Sequence, residues 1–202
     1  AFEDCSALPN VELPDSVQSL GEAVFRGCIS LATARLSTGL DTVGVSMFEG
    51  CSLLNATSIP DSVSVIGESA YKGCSSLVSI EFGANVSVIG NSSFEGCTSL
   101  ETLTLVDSIT DVGESAFRFD SSLRSVTIGS GVTHINSFTF ADCSKLNELI
   151  GFDNIDSVDP NSFLNCRQLT MQRKECKAFD DEHSMLAFVG VRQFDCCGKD
   201  TY

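Results

Sequence analysis

The chain has 202 residues, 43% of them hydrophobic and 19% charged, and its formal net charge at pH 7 is -15. A protein this acidic repels phosphate backbones and anionic lipid heads, which argues against nucleic acid as a partner. The longest uninterrupted apolar run, residues 185–189, is too short to cross a bilayer. The sequence therefore predicts no membrane span.

A spacing of 23 residues relates most of the chain to itself. Three residues after each aromatic of this series stands a Cys, replaced once by Asp120, and three residues further on stands a Leu. Fixed self-similarity of this kind predicts a solenoid, in which each repeat buries its apolar face against its neighbours. The aromatic series is Phe2, Phe25, Phe48, Tyr71, Phe94, Phe117, Phe140 and Phe163.

Each repeat contains a strand signal and a turn signal. Segments such as 77–82 alternate apolar and polar residues, which is typical of a strand with one buried face, and stacked strands would form a parallel sheet. A short helical turn is expected to carry the aromatic inward and to end at a left-handed glycine. These glycines are Gly27, Gly50, Gly73 and Gly96.

The residue after each aromatic alternates in charge, so the sequence unit is a pair of repeats, 46 residues long. Stacked rungs would place each of these charges between two of opposite sign. Such an exposed ladder contributes about 0 to 1 kcal/mol per pair and serves register more than stability. Its members are Glu3, Arg26, Glu49, Lys72, Glu95 and Arg118.

Seven of the ten cysteines occupy one column of the repeat, which favours buried free thiols over a disulfide scaffold. Pairing between neighbouring rungs stays open, because stacked strands are close enough for a disulfide.

A 23-residue repeat that joins L-x-x-L-x-L to I-G-x-x-A-F-x-G-C-x-x-L resembles the BspA-like, or type 5, leucine-rich repeat over residues 1 to about 170. The resemblance implies a right-handed α/β solenoid with a parallel β-sheet on its concave face and short helical turns opposite. It also implies a surface or secreted protein, and it carries over no catalytic residues. The chain departs from the pattern at Phe119, Asp120 and Gly151, and after Leu169.

The two ends of the chain differ from the repeats between them. Residues 1–169 are expected to form about eight repeats, the first incomplete, and residues 170–202 a C-terminal cap. A disulfide from Cys176 to Cys196 or Cys197 would staple this cap, and three free thiols are the alternative. At the other end Phe2 would present a raw core edge, which indicates either earlier repeats or a covering chain.

The concave face is the predicted binding surface, because a preformed sheet needs little ordering on association. Its outward polar residues could equally be ordinary solvent-facing side chains. They are Thr33, Arg35, Ser58, Ser79, Glu81, Thr102, Thr104, Ser125, Thr127 and Glu148.

Other candidate sites carry less weight. His134 fits an ordinary surface position, and Asp153, Asp156 and Asp159 fit a solvated turn better than a calcium site. Three N-glycosylation sequons begin at Asn55, Asn85 and Asn91.

The sequence thus predicts a non-enzymatic recognition or adhesion module without a cofactor or a metal. Its partner would be a protein or a glycan, met outside the cell, at its surface or in a secretory-type lumen. The alternative is a structural scaffold subunit of a larger assembly, docked through its N-terminal edge and flanks.

Overall fold

The computed structural model describes residues 1–170 in full, together with the backbone of Met171, Gln193 and Phe194. Within this part, the chain winds as a parallel β-solenoid in which residues 23 apart become neighbours. No helix in the described residues has the length and hydrophobicity needed to cross a bilayer.

Each full circuit contributes two short strands. The first set forms the parallel ladders β1-β2, β4-β6 and β8-β10-β12. Its strands are β1 (Asn10–Glu12), β2 (Thr33–Arg35), β4 (Ala56–Ser58), β6 (Ser79–Glu81), β8 (Thr102–Leu105), β10 (Ser125–Ile128) and β12 (Glu148–Ile150).

The second set runs along another side of the coil, as ladders β3-β5-β7-β9 and β11-β13. Its strands have two residues each, and they are β3 (Thr42–Val43), β5 (Val65–Ile66), β7 (Val88–Ile89), β9 (Asp111–Val112), β11 (His134–Ile135) and β13 (Ser157–Val158).

A last parallel pair extends the 23-residue register beyond the predicted repeats. Strand β14 (Thr170–Met171) pairs with β15 (Gln193–Phe194), with Thr170 opposite Gln193. The rest of the predicted cap, including Cys176, Cys196 and Cys197, lies outside the described residues.

The interior consists of columns of residues 23 apart that occupy the same position in successive rungs. The aromatic series forms one continuous stack, with ring centroids 5.1 to 5.7 Å apart and nearly parallel planes. From Phe25 to Phe163 these rings are buried, whereas Phe2 at the first rung is 48% exposed. The predicted aromatic column is therefore confirmed.

The predicted short helical turns are not confirmed. The segments that carry the aromatics are runs of turns, and in the described residues the single helical element is a 3-10 helix at Phe152–Asn154. Their amides alternate between two partners: Met47 N bonds within its own turn to Gly44 O, while Phe48 N bonds to Ala70 O of the next rung. The amides that bond within the turn reach the carbonyl three residues back, as Met47 N does to Gly44 O, and not the carbonyl four residues back that an α-helix requires.

Two left-handed residues per rung make that alternation possible. The predicted left-handed glycines are confirmed, with φ between 72° and 78° at Gly27, Gly50, Gly73 and Gly96. A second left-handed position, four residues earlier, was not predicted and is occupied by Ala, Ser, Phe or Asn. Its members are Ala23, Ser46, Ser69, Ser92, Ser115, Phe138 and Asn161, with φ from 52° to 64°.

Side chains clamp the rungs together in pairs. An aspartate in alternate repeats accepts a hydrogen bond from a backbone amide of the next rung, as Asp61 Oδ1 does from Ala84 N at 2.7 Å. Between pairs, Ser62 Oγ donates to Leu40 O at 2.6 Å. The two-repeat sequence period therefore has a structural counterpart. The equivalent clamps are Asp15 to Thr38, Asp107 to Ser130, and Ser108 to Val86.

Candidate functional site

The outward side chains of the first strand set form one surface, here called the sheet face. Parallel register aligns them in two rows along the solenoid, for example Thr102 beside Ser125 and Thr104 beside Thr127. All ten residues predicted for binding lie on this face, exposed or partly exposed, while the residues between them in each strand point inward. Whether they bind a partner stays a prediction.

Hydrogen bonds engage the two ends of the sheet face. Arg35 donates from Nη2 to Asp15 Oδ1 at 3.1 Å and from Nη1 to Leu13 O at 3.1 Å. The Thr38 amide and the Arg35 guanidinium lower the pKa of Asp15. At the other end Ser125 Oγ donates to Glu148 Oε2 at 2.6 Å. Part of the hydrogen-bonding capacity of Arg35 and Glu148 is thus already used within the protein.

The middle of the sheet face is free of such contacts. Ser58, Ser79, Glu81, Thr102 and Thr104 are exposed, and within residues 1–170 their side chains make no hydrogen bond or ion pair. These side chains present small polar groups on a backbone that the ladders already fix. They are therefore the part of the sheet face most available to a partner.

The sequons differ in how much the fold already uses their side chains. Asn55 is exposed at the start of β4, whereas Asn85 Nδ2 donates to Asp61 O at 2.8 Å and Asn91 Oδ1 accepts from Glu114 N at 2.9 Å. Thr57 of the Asn55 sequon is buried, and its hydroxyl donates to Tyr71 Oη at 3.0 Å. Glycosylation at each of them stays a prediction.

The cysteine column holds free thiols, and six of its seven members are buried. Each buried thiol donates to the backbone carbonyl of the aromatic residue 26 positions earlier, at 3.0 to 3.5 Å. Burial raises the pKa of Cys51 and of Cys166 to about 12. Cys5 of the first rung is exposed, in contrast to the rest of its column.

Asp120 replaces a cysteine of this column and is fully buried. Burial raises the pKa of its carboxyl well above the ordinary value, and the nearby amides of Cys97 and Gly96 oppose the shift only in part. Neither carboxylate oxygen has a hydrogen-bond partner of normal geometry, so desolvation dominates.

The charge ladder forms only in part. Arg26 pairs with Glu3, and Lys72 Nζ lies 2.9 Å from Glu95 Oε2. Arg118 breaks the series, since its Nε lies 3.5 Å from Asp142 Oδ2 instead.

The reason is an unpredicted cluster on the outer side of the turns. The Arg118 guanidinium lies 4.4 Å from the ring centroid of Phe119 and 5.2 Å from that of Phe138. Phe119 is 43% exposed, and both phenylalanines have left-handed backbone conformations. From the sequence, the one signal was that Phe119 stands where four other repeats have Gly.

His134 has two polar neighbours that the sequence did not indicate. Its Nδ1 lies 2.6 Å from Ser157 Oγ, and its Nε2 lies 3.5 Å from Asp159 Oδ1. All three side chains are exposed or partly exposed on the short-strand side. Within residues 1–170 no group of three His, Cys, Asp or Glu side chains is arranged to hold a metal ion.

The solved structures that resemble this chain are leucine-rich repeat or leucine-rich proteins. A leucine-rich repeat protein of T. pallidum is 30% identical, with a TM-score of 0.75 over 80% of this chain and 78% of that one. A leucine-rich repeat protein of Bacteroides ovatus is 21% identical, with a TM-score of 0.63 over 94% of this chain. A leucine-rich cell surface protein of Faecalibacterium prausnitzii is 20% identical, with a TM-score of 0.56 over 98%.

The chain spans 58% and 62% of the lengths of the latter two proteins, which at this identity support the fold alone. No curated protein matches the chain. The family model for the BspA type leucine-rich repeat region matches six copies, over residues 1–68 and 53–170. With the 23-residue rungs and the aromatic stack, this match shows that the chain belongs to the BspA-type leucine-rich repeat family.

Proposed function

We propose that the chain is a non-enzymatic recognition or adhesion module that binds a protein or glycan partner through its sheet face. The observation that carries this proposal is the alignment of ten polar strand residues in two rows, one of them interrupted by Ala56. Leucine-rich repeat proteins generally serve protein interaction or adhesion, and they are typically not enzymes.

The central rungs of the sheet face are the main contact. Their backbone is fixed by the ladders β4-β6 and β8-β10-β12, so little backbone entropy is lost on binding. Ser and Thr hydroxyls both donate and accept hydrogen bonds, which suits either a protein or a glycan surface. Arg35 plays a smaller part, because contact through it would compete with Asp15.

The site of action is the cell surface, the extracellular space or a secretory-type lumen. This is supported by the family and by two structural neighbours, one described as a cell surface protein and one as the pneumococcal vaccine antigen PcpA. In such a compartment the sequons at Asn55, Asn85 and Asn91 would be open to modification. Residues 170–202 serve as the cap.

Position-specific crosslinking tests the binding surface. A photoreactive phenylalanine analogue replaces Thr104 or Ser79 on the sheet face, and Thr98 serves as a matched exposed control outside it. The full chain is irradiated in the native culture, and adducts are identified by mass spectrometry. We expect adducts from positions 104 and 79 and none from position 98.

A second candidate is a scaffold subunit docked through its N-terminal edge, where Phe2 stacks on Phe25. The same analogue placed at position 2 distinguishes the two. Adducts from position 2 alone would favour the scaffold, and the absence of adducts from positions 79 and 104 would refute binding through the sheet face.

A further inference from the structure

The turns of the sixth and seventh rungs depart from the repeat at three positions together. Phe119 replaces the glycine of its column, Asp120 replaces the cysteine, and Phe138 replaces the serine that most other rungs carry. Phe119 and Phe138 both lie near Arg118, whose guanidinium carbon is 4.4 Å and 5.2 Å from the two ring centroids. We call Arg118, Phe119, Phe138 and Asp142 the arginine cluster.

Each of these departures carries a local cost. Phe119 and Phe138 have φ values of 65° and 59°, in the left-handed region that a bulky side chain disfavours. Asp120 is fully buried, and its carboxylate oxygens have no hydrogen-bond partner of normal geometry. Positions where a repeat protein accepts local strain without a packing gain are candidates for function.

The arginine of the cluster has an acidic neighbour besides the two rings. Asp142 Oδ2 lies 3.5 Å from Arg118 Nε, and Asn165 Nδ2 donates to Asp142 Oδ1 at 2.8 Å. The Arg118 side chain is one-third exposed, and its Nε, although close to Asp142, has no hydrogen-bond partner of normal geometry. The guanidinium therefore keeps donor capacity for a carboxylate of a partner.

We propose that the arginine cluster is a docking site for a protein segment that presents an apolar side chain next to a carboxylate. The apolar side chain would contact the ring of Phe119, which is 43% exposed, and the carboxylate would bind the terminal nitrogens of Arg118. Arginine is enriched at the energetic centres of interfaces, and phenylalanine is among the aromatic residues enriched in interfaces generally.

The charge of the rest of the chain makes this site specific. With a net charge of -15, most of the surface repels a carboxylate. All three cations of the charge ladder have a carboxylate neighbour, Arg26 with Glu3, Lys72 with Glu95 and Arg118 with Asp142. Arg118 is the one of the three that also lies against two aromatic rings. This site lies on the turns, away from the sheet face, so it is a second interaction surface that does not depend on the first.

A peptide array tests the proposal on the full chain. Nine-residue peptides carry Leu or Phe at the centre, flanked by Asp, Ser or Lys, and Kd values of the best peptides are measured in solution. We expect the Asp-flanked peptides to bind best, and Phe119→Gly and Arg118→Gln each to weaken them about tenfold or more. Ile29→Ser is the matched control, since it removes another exposed apolar residue in favour of its column's usual serine.

The urea midpoint of Phe119→Gly separates function from folding. We expect it to equal or exceed that of the wild type, because glycine is the usual residue of this left-handed column. A lower midpoint would overturn the proposal, and so would a preference for Lys-flanked or Ser-flanked peptides, unchanged binding by Phe119→Gly, or an equal loss in Ile29→Ser. Sheet-face substitutions such as Thr104→Arg should leave peptide binding unchanged, which distinguishes this site from the proposed function.

Discussion

Replacing Asp120 with Cys should stabilise the protein and remove a pH dependence. Cysteine is the usual residue of the column, and the neighbouring Cys143 donates to Phe117 O at 3.1 Å. At position 120 a thiol would face the Phe94 carbonyl in the same relation. The substitution thereby removes a fully buried carboxyl that has no hydrogen-bond partner of normal geometry.

The magnitude follows from proton linkage. The folded pKa of Asp120 is well above its ordinary value of 3.8, so above pH 3.8 the unfolded state binds fewer protons than the folded state. The free energy of unfolding should therefore fall by up to about 1.4 kcal/mol per pH unit as pH rises from 3.8 to the folded pKa. Below pH 3.8 the protonated Asp120 makes its full contribution to the free energy of unfolding.

Urea denaturation between pH 5 and pH 8 isolates this group. Asp15 and Asp107 have lowered pKa values, so their contribution to stability is lost only as pH falls below that window. The buried thiols, whose pKa values are raised above 9, weaken the fold only at alkaline pH. We expect the wild type to lose stability across the window and Asp120→Cys to remain nearly flat. Equal slopes for the two proteins would refute the assignment of the buried carboxyl.

Two further predictions concern the core. Tyr71→Phe should destabilise by about 1 to 3 kcal/mol because it leaves the buried Thr57 hydroxyl without a partner, and adding Thr57→Val should recover most of that loss. A double-mutant cycle in urea measures this coupling, and additive effects would contradict it. In the native protein at pH 8, iodoacetamide should label Cys5 quickly and Cys74 only after unfolding, since Cys5 is exposed and burial raises the pKa of Cys74. Peptide mass mapping reads both sites, and equal labelling rates would count against the buried column.

The features that repeat could be predicted from the sequence. A period without insertions placed Phe48, Tyr71 and Phe94 in one stack, and the alternation of 77–82 placed Ser79 and Glu81 on the outer face of a strand. The glycines at 27, 50, 73 and 96 took the left-handed conformation that their residue type favours. In each case the same or a similar residue type recurs at 23-residue spacing in most rungs and has the same physical role there.

Features that depend on bonds between rungs could not be predicted in this way. Helical propensity reflects hydrogen bonds within one segment only. It does not include a bond such as that from Phe48 N to the next circuit, and for this reason the turns were predicted as short helices. The bond from Arg35 to Asp15 depends on a turn 20 residues away. The arginine cluster requires Phe138 and Phe119, from different rungs, to meet over Arg118, and no local pattern indicates that meeting.

The alternating charges of Arg26, Glu49, Lys72 and Glu95 determine how such a chain can change in length. Excising 23 residues from 46 to 68 would bring Lys72 beside Arg26, so that like charges would meet. Excising 46 residues from 46 to 91 would bring Glu95 beside Arg26 and restore an attractive neighbour. Duplication and loss within this gene should therefore be tolerated most easily in even numbers of coils.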